Sequence, residues 1–146
     1  MMYQRLEDTR VYVEALAIAD EIWEEVAIWK WFERDTVGKQ LVRAADSVSA
    51  NIAESYGRHN TGDVVLFLYY ARRSLYETKD WLQKAIRRNI GRTDCLNQTL
   101  NRVETLAPQL NAYITAKKKT LRTRTTQPPN HPTTSKWRTL WIWNLN

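Results

Sequence analysis

Thr61-Gly62-Asp63-Val64-Val65-Leu66-Phe67-Leu68-Tyr69-Tyr70-Ala71-Arg72-Arg73-Ser74-Leu75-Tyr76-Glu77-Thr78-Lys79-Asp80-Trp81-Leu82-Gln83-Lys84-Ala85-Ile86-Arg87-Arg88-Asn89 is the stretch whose reading decides the fold. Val64, Leu68, Ala71, Leu75, Leu82 and Ile86 recur at the three- and four-residue steps of a helix face, not at the two-residue alternation of a strand. No proline interrupts the run, and no glycine follows Gly62. Thr61 is placed to cap its start, with Gly57 breaking the chain before it and Gly91 after it. One amphipathic rod of this length needs others of similar length to cover its stripe.

Three further stretches supply them. From about Asp8 to Lys30, Val11, Ala15, Ile18, Ile22, Val26 and Trp29 keep the same period. From about Thr36 to Tyr56 the stripe is Val37, Leu41, Ala45, Val48 and Ile52, with Asp35 or Thr36 as its expected N-cap. From about Thr93 to Lys118 it is Leu96, Leu100, Val103, Ala107, Leu110 and Ile114, with Pro108 expected to kink or break the helix. Links of about five residues force consecutive helices antiparallel. The expected fold is therefore all-α, an up-down-up-down four-helix bundle over residues 1–119. The alternative is an extended helical hairpin that dimerises.

A C-terminal extension follows at 120–146. Its first part, through Ser135, carries six threonines, three prolines and no aliphatic residue after Leu121, the composition of a linker. It ends in Trp137-Arg138-Thr139-Leu140-Trp141-Ile142-Trp143, apolar enough to need a partner: its own bundle, a neighbouring subunit or another protein.

The rest of the chain bounds what it can do. With 146 residues and 43% hydrophobic content it makes one domain with a core. No apolar run approaches the ~20 residues that span a bilayer, and Met1-Met2-Tyr3-Gln4-Arg5 has no export signal. Cys95 is alone and forms no internal disulfide, so a cytoplasmic protein with no membrane association is expected. Net charge is +6, unevenly spread: residues 1–35 hold nine acids against four bases, whereas residues 105–146 hold seven bases and no acid. Such a cationic end is the footprint of a polyanion partner.

Catalysis finds no footing. His59 and His131 fall in a loop and in the extension, Cys95 has no cation that clearly activates it, and no phosphate loop or dinucleotide fingerprint occurs. Glu21 with Glu24 or Glu25 lacks the Glu-x-x-His elements of carboxylate metal bundles, so no metal and no cofactor is expected.

Two surface patterns remain. Gln40, Arg43, Ser47, Asn51, Glu54 and Arg58 step by three or four along one side of the second helix. They form either a solvated face, with Glu54 and Arg58 an i,i+4 pair, or a polar stripe that sets register between helices or subunits. On the third helix Arg72, Arg73, Lys79, Lys84, Arg87 and Arg88 interleave with Tyr69, Tyr70, Tyr76 and Trp81, and Lys117, Lys118, Lys119, Arg122 and Arg124 follow on the fourth. These are a solvated cationic face or a nucleic-acid contact with aromatic platforms. The acidic first helix (Asp20, Glu21, Glu24, Glu25) offers the complementary face a head-to-tail ring requires, unless Glu24 and Glu25 are merely exposed.

Gln40-Leu41-Val42-Arg43-Ala44-Ala45-Asp46-Ser47-Val48-Ser49-Ala50-Asn51-Ile52-Ala53-Glu54-Ser55-Tyr56-Gly57-Arg58 resembles the signature of the 23S rRNA intervening-sequence proteins, Q-L-x-R-A-A-x-S-I-x-x-N-I-A-E-G-x-G-R. Phe67-Leu68-Tyr69-Tyr70-Ala71-Arg72-Arg73-Ser74-Leu75-Tyr76-Glu77 is similar to that family's F-L-x-x-A-x-G-S-L-x-E, and Leu6-Glu7-Asp8 with Val11-Tyr12 to its opening. Ser55 and Arg73 replace glycines, and the extension departs from the pattern. The resemblance implies a left-turning antiparallel four-helix bundle that assembles as a ring, typically a homopentamer. It also implies a bacterial, non-enzymatic protein with RNA as the expected partner. A relative of the same architecture, the accessory variability protein of diversity-generating retroelements, makes a reverse transcriptase and its RNA template the alternative partners. That relative's C-terminal Gly-Gly-Trp signature is missing from the fourth helix here.

Overall fold

The structure of the chain, a computed structural model, describes residues 5–125. Every regular element among them is helical. A 3₁₀ turn, Leu6–Asp8, leads into α1, Arg10–Ala27. After a break at 28–30 come a short helical turn, Trp31–Glu33, a π turn, Arg34–Gly38, and then α2, Lys39–Gly57, without interruption. Helix α3 is Thr61–Arg87 and α4 is Thr93–Thr125. No described helix is long and apolar enough to cross a membrane.

The apolar stripes read from the sequence supply most of the core, although Val64, Ile86, Leu100 and Ala107 are only half-buried and Leu106, outside the stripe, is buried. Ile22, Leu41, Ile52, Leu68, Leu75, Leu82, Leu96, Leu106 and Leu110 are fully buried, each contributing roughly 1.5–3 kcal/mol relative to exposure. Each helix packs on its chain neighbours, and α1 closes the bundle against α4. Contacts between α3 and α4 run in opposite order: Tyr69 meets Lys118, Arg72 meets Asn111 and Lys79 meets Glu104. Likewise Thr9 at the start of α1 meets Tyr56 at the end of α2. Neighbouring helices are therefore antiparallel.

Three boundaries differ from expectation, each for a local reason. Helical structure resumes at Trp31 rather than Thr36; Asp35 and Thr36 cap nothing, and Thr36 Oγ1 donates to Phe32 O at 2.7 Å inside the helix. The π turn buries Val37 and Gly38, and Gly38 touches α1 so closely that a Cβ would stand 2.6 Å from Val26 Cγ1. Helix α3 is capped by Asn60, not Thr61: the Asn60 side chain accepts from Gly62 N–H at 2.8 Å. Finally, α4 runs unbroken through Pro108 and on past Lys118 to Thr125. Pro108 and Glu104 are both exposed, so the carbonyl that loses its N–H partner belongs to the solvent side of the helix, where water can replace the missing donor. The remainder of the expected extension, 126–146, lies outside the described residues.

Each end of the bundle carries its own polar fastening. At one end Thr9 Oγ1 bonds Tyr56 Oη, and the Tyr113 hydroxyl donates to Tyr56 Oη at 3.3 Å, joining α1, α2 and α4. Burial, with the Tyr56 hydroxyl beside it, pushes the Tyr113 phenol far above its ordinary value. Tyr113→Phe keeps the ring and removes the donor, and is expected to destabilise the fold by about 1 kcal/mol, read as a lower midpoint in urea. At the other end, Glu25 is 1% exposed yet charged. Its carboxylate accepts from Arg92 N–H and Arg92 Nε, both at 2.7 Å, and from Trp29 Nε1 at 3.2 Å. That clasp ties the end of α1 to the α3–α4 turn.

Candidate nucleic-acid interface

The end of the bundle that holds Tyr56 and Tyr113 is formed by the C-terminal end of α2, the N-terminal half of α3 and the C-terminal half of α4. It gathers aromatic rings with cations over them. The Arg72 guanidinium lies 4.8 Å from the centre of the Tyr69 ring, and Lys118 Nζ lies 5.6 Å from it and donates to Tyr69 Oη at 3.0 Å. Lys117 Nζ sits 5.4 Å from the Tyr56 ring and 5.2 Å from the Tyr113 ring. Arg58 lies 4.5 Å over Phe67 while also pairing with Glu54. The Lys118 bond holds the Tyr69 phenol below its ordinary value, against a smaller opposing effect of burial.

The helical period explains the gathering. Tyr113 and Lys117 are four apart on α4 and Tyr69 and Arg72 three apart on α3, so each pair shares a face of its helix. Antiparallel packing then sets Lys118 against Tyr69. Beyond them Lys118, Lys119 and Arg122 line a shallow groove of about 500 Å³ with Thr115 and Thr123.

A cation over a ring keeps its charge, whereas a cation on a carboxylate is neutralised. This separates the candidate residues. Arg72, Lys117 and Lys118 lie over rings at this end, and Lys119 and Arg122 line the groove beside them. Lys79 pairs with Glu104 at 2.9 Å, and Lys84 pairs with Asp80 beneath the Trp81 ring. Arg73 is exposed, and Arg87 and Arg88 lie at the opposite end of α3. Arg124 falls in the last described turn of α4, its side chain outside the described set.

The polar stripe on α2 satisfies itself locally. Ser47 Oγ donates to Arg43 O and Asn51 Nδ2 to Ser47 O, both at 2.7 Å, while Glu54 pairs with Arg58. Ser55, which stands for a family glycine, is buried and donates to Ile52 O at 2.6 Å. The acids of α1 divide. Arg102 on α4 pairs with Glu14 and Glu21, Glu24 is exposed, and Glu25 is the buried clasp rather than a surface acid. Sequence spacing could not reveal that clasp, because its partner is 67 residues away. Cys95 is half-buried, its thiol pushed up by burial and then by Glu25. Among the described residues no group of three His, Cys, Asp or Glu is placed to hold a metal, and His131 lies outside them.

The family model described as 23S rRNA-intervening sequence protein matches residues 7–112. A solved structure from Bacteroides thetaiotaomicron, a protein with unknown function from the S23 ribosomal protein family, matches with a TM-score of 0.63 at 23% identity. The match covers 71% of this chain and 97% of that one. At that identity the likeness speaks for the fold alone. No curated protein matches the chain.

Proposed function

This chain belongs to the 23S rRNA-intervening sequence protein family, and from that premise we propose that it is a non-enzymatic, cytoplasmic protein that assembles as a homopentamer and binds RNA through the basic, aromatic end of its bundle. The observation that carries the reading is the convergence of Arg72, Lys117 and Lys118, from two helices, on the faces of Tyr56, Tyr69 and Tyr113. The rings fix the cations in place without neutralising them, so their positive potential stays available to phosphates. Displacing a cation from a ring exposes an aromatic face on which an unpaired base can stack. Lys119 and Arg122 extend the same cationic strip along α4.

The test is titration of the full chain into a labelled single-stranded RNA at several salt concentrations. Affinity is expected to fall steeply with salt, the log–log slope counting about 0.7 per phosphate contact. Lys117→Glu with Lys118→Glu is expected to weaken binding by roughly tenfold or more and to flatten the slope by about 1.4. Lys84→Glu, at a cation already paired with Asp80, leaves both nearly unchanged. Equal affinity for the double variant and the wild type would sink the RNA site. Native mass measurement tests the assembly, and a particle of one chain would remove it.

A further inference from the structure

The seam between α1 and α2, at the end of the bundle away from Tyr56 and Tyr113, joins exposed indoles to free cations. Gly38 lets the π turn lie against Val26 of α1, and a groove of about 570 Å³ opens beside that contact. Its floor is apolar, with Val26 buried and Val42 half-buried. Trp23 and Trp31 flank it, 65% and 70% exposed. Arg34, Asp35, Lys39 and Arg43 supply the polar lining. The π turn aligns the first two cations. Lys39 N–H donates to Arg34 O, a step of five residues, so Arg34 and Lys39 share a side that an α-helix would split by about 140°. Arg43 follows four residues after Lys39 on α2. None of the three joins an ion pair among the described residues. Past Arg43 the seam turns acidic: burial, then Asp20 on α1, pushes the Asp46 carboxyl up.

We propose that this groove binds a nucleotide, with the base on the exposed indoles and a terminal phosphate on Arg34 and Lys39. An apolar occupant would strip water from the cations and return nothing for it. A bare phosphate would leave the indoles in water. A planar ring and an anionic group joined in one ligand use both halves of the lining. Charge fits the same ligand. Three cations against Asp35 leave a surplus of two positive charges, close to the −1.5 to −2 or so that a phosphate monoester carries at neutral pH. The Arg34 fork suits phosphate oxygens and Lys39 adds a point charge, while Asp35 is an acceptor for a ribose hydroxyl. The volume is that of a small-molecule site, and π turns within α-helices frequently mark functional sites. A phosphate monoester ends both a free nucleotide and a 5′-phosphorylated RNA strand, and the test separates these sources. The site stands apart from the cationic end and does not rest on it.

Calorimetric titration of the full chain with AMP tests this, with adenosine as the uncharged control. One AMP per chain is expected, and adenosine is expected to bind about tenfold more weakly or worse. Arg34→Glu with Lys39→Glu is expected to weaken AMP by about tenfold or more, and Trp31→Ala by about fivefold or more. All three positions are exposed. Lys117→Glu with Lys118→Glu is expected to leave AMP binding unchanged, which keeps this site distinct from the RNA reading. In that last variant, displacement of AMP by a 5′-phosphorylated oligoribonucleotide, but not by its 5′-hydroxyl twin, identifies a strand end as the ligand. Displacement by neither identifies the free nucleotide. AMP that fails to bind or binds no more tightly than adenosine overturns the proposal. So does AMP binding that survives Arg34→Glu with Lys39→Glu, or equal displacement by both twins.

Discussion

Gly91→Ala is expected to destabilise the protein by about 4 kcal/mol, because it combines a disfavoured backbone conformation with a steric collision. Gly91 has φ +70°, the left-handed region in which an alanine Cβ presses on its own carbonyl. The new Cβ would also stand 2.4 Å from Trp29 Nε1 and 2.6 Å from Glu25 Oε1. Neither atom can yield cheaply. The indole is buried, and the carboxylate is held by three donors. Relief therefore means opening the clasp itself. With total stability of the usual 5–15 kcal/mol, this removes a large share of it. Thermal unfolding should move down by roughly 12–16 °C; a shift below a few degrees would show that the turn has slack the distances deny.

Glu25→Ala is expected to cost about 3 kcal/mol, from the opposite side of the same clasp. It strands the Arg92 N–H and the Trp29 indole N–H, and leaves a hole in the closed end. The Arg92 side chain is largely in water, which keeps the loss at the low end for a broken buried pair. Glu25→Gln, which keeps the shape and one acceptor, should lose less and should alter the pH response. Burial pushes the Glu25 carboxyl up, but the Arg92 amide and guanidinium and the Trp29 indole together hold it below its ordinary 4.5. In acid the unfolded chain therefore takes up the proton first. The stabilisation is complete above pH 4.5 and drains away as pH falls through the lower folded-state value. Urea midpoints from pH 7 to pH 3 should converge for wild type and Glu25→Gln. A gap that stays constant over that range would remove the charge from the explanation.

Both variants act on a contact that no periodicity reveals. Val64, Leu68, Ala71 and Leu75 announce a helix because neighbours on one face of one element follow a local rule. By contrast, Glu25 falls on the apolar stripe, three residues past Ile22 and four before Trp29, and so points inward where Glu24 does not, but nothing local names Arg92 as its partner. Gly91 was legible as a helix stop, but its closeness to Trp29 was not. Lys79 shows the same limit: as sequence it belongs with Arg72, and only Glu104 on α4 sets it apart, whereas Asp80, the partner of Lys84, stands four residues before it on the same helix.

Read by itself, the sequence determined the helices, their order and the all-α class, because amphipathic repetition and short links leave a chain of this length few alternatives. It also placed an excess of positive charge late in the chain. The tertiary structure decided which charges survive as charges. Antiparallel packing lays Lys118 beside Tyr69 and Lys79 beside Glu104, and it spends Glu25 on closing the end rather than on the surface. The reason is that pairing across helices depends on their relative level, a property of the packed bundle and of no single element.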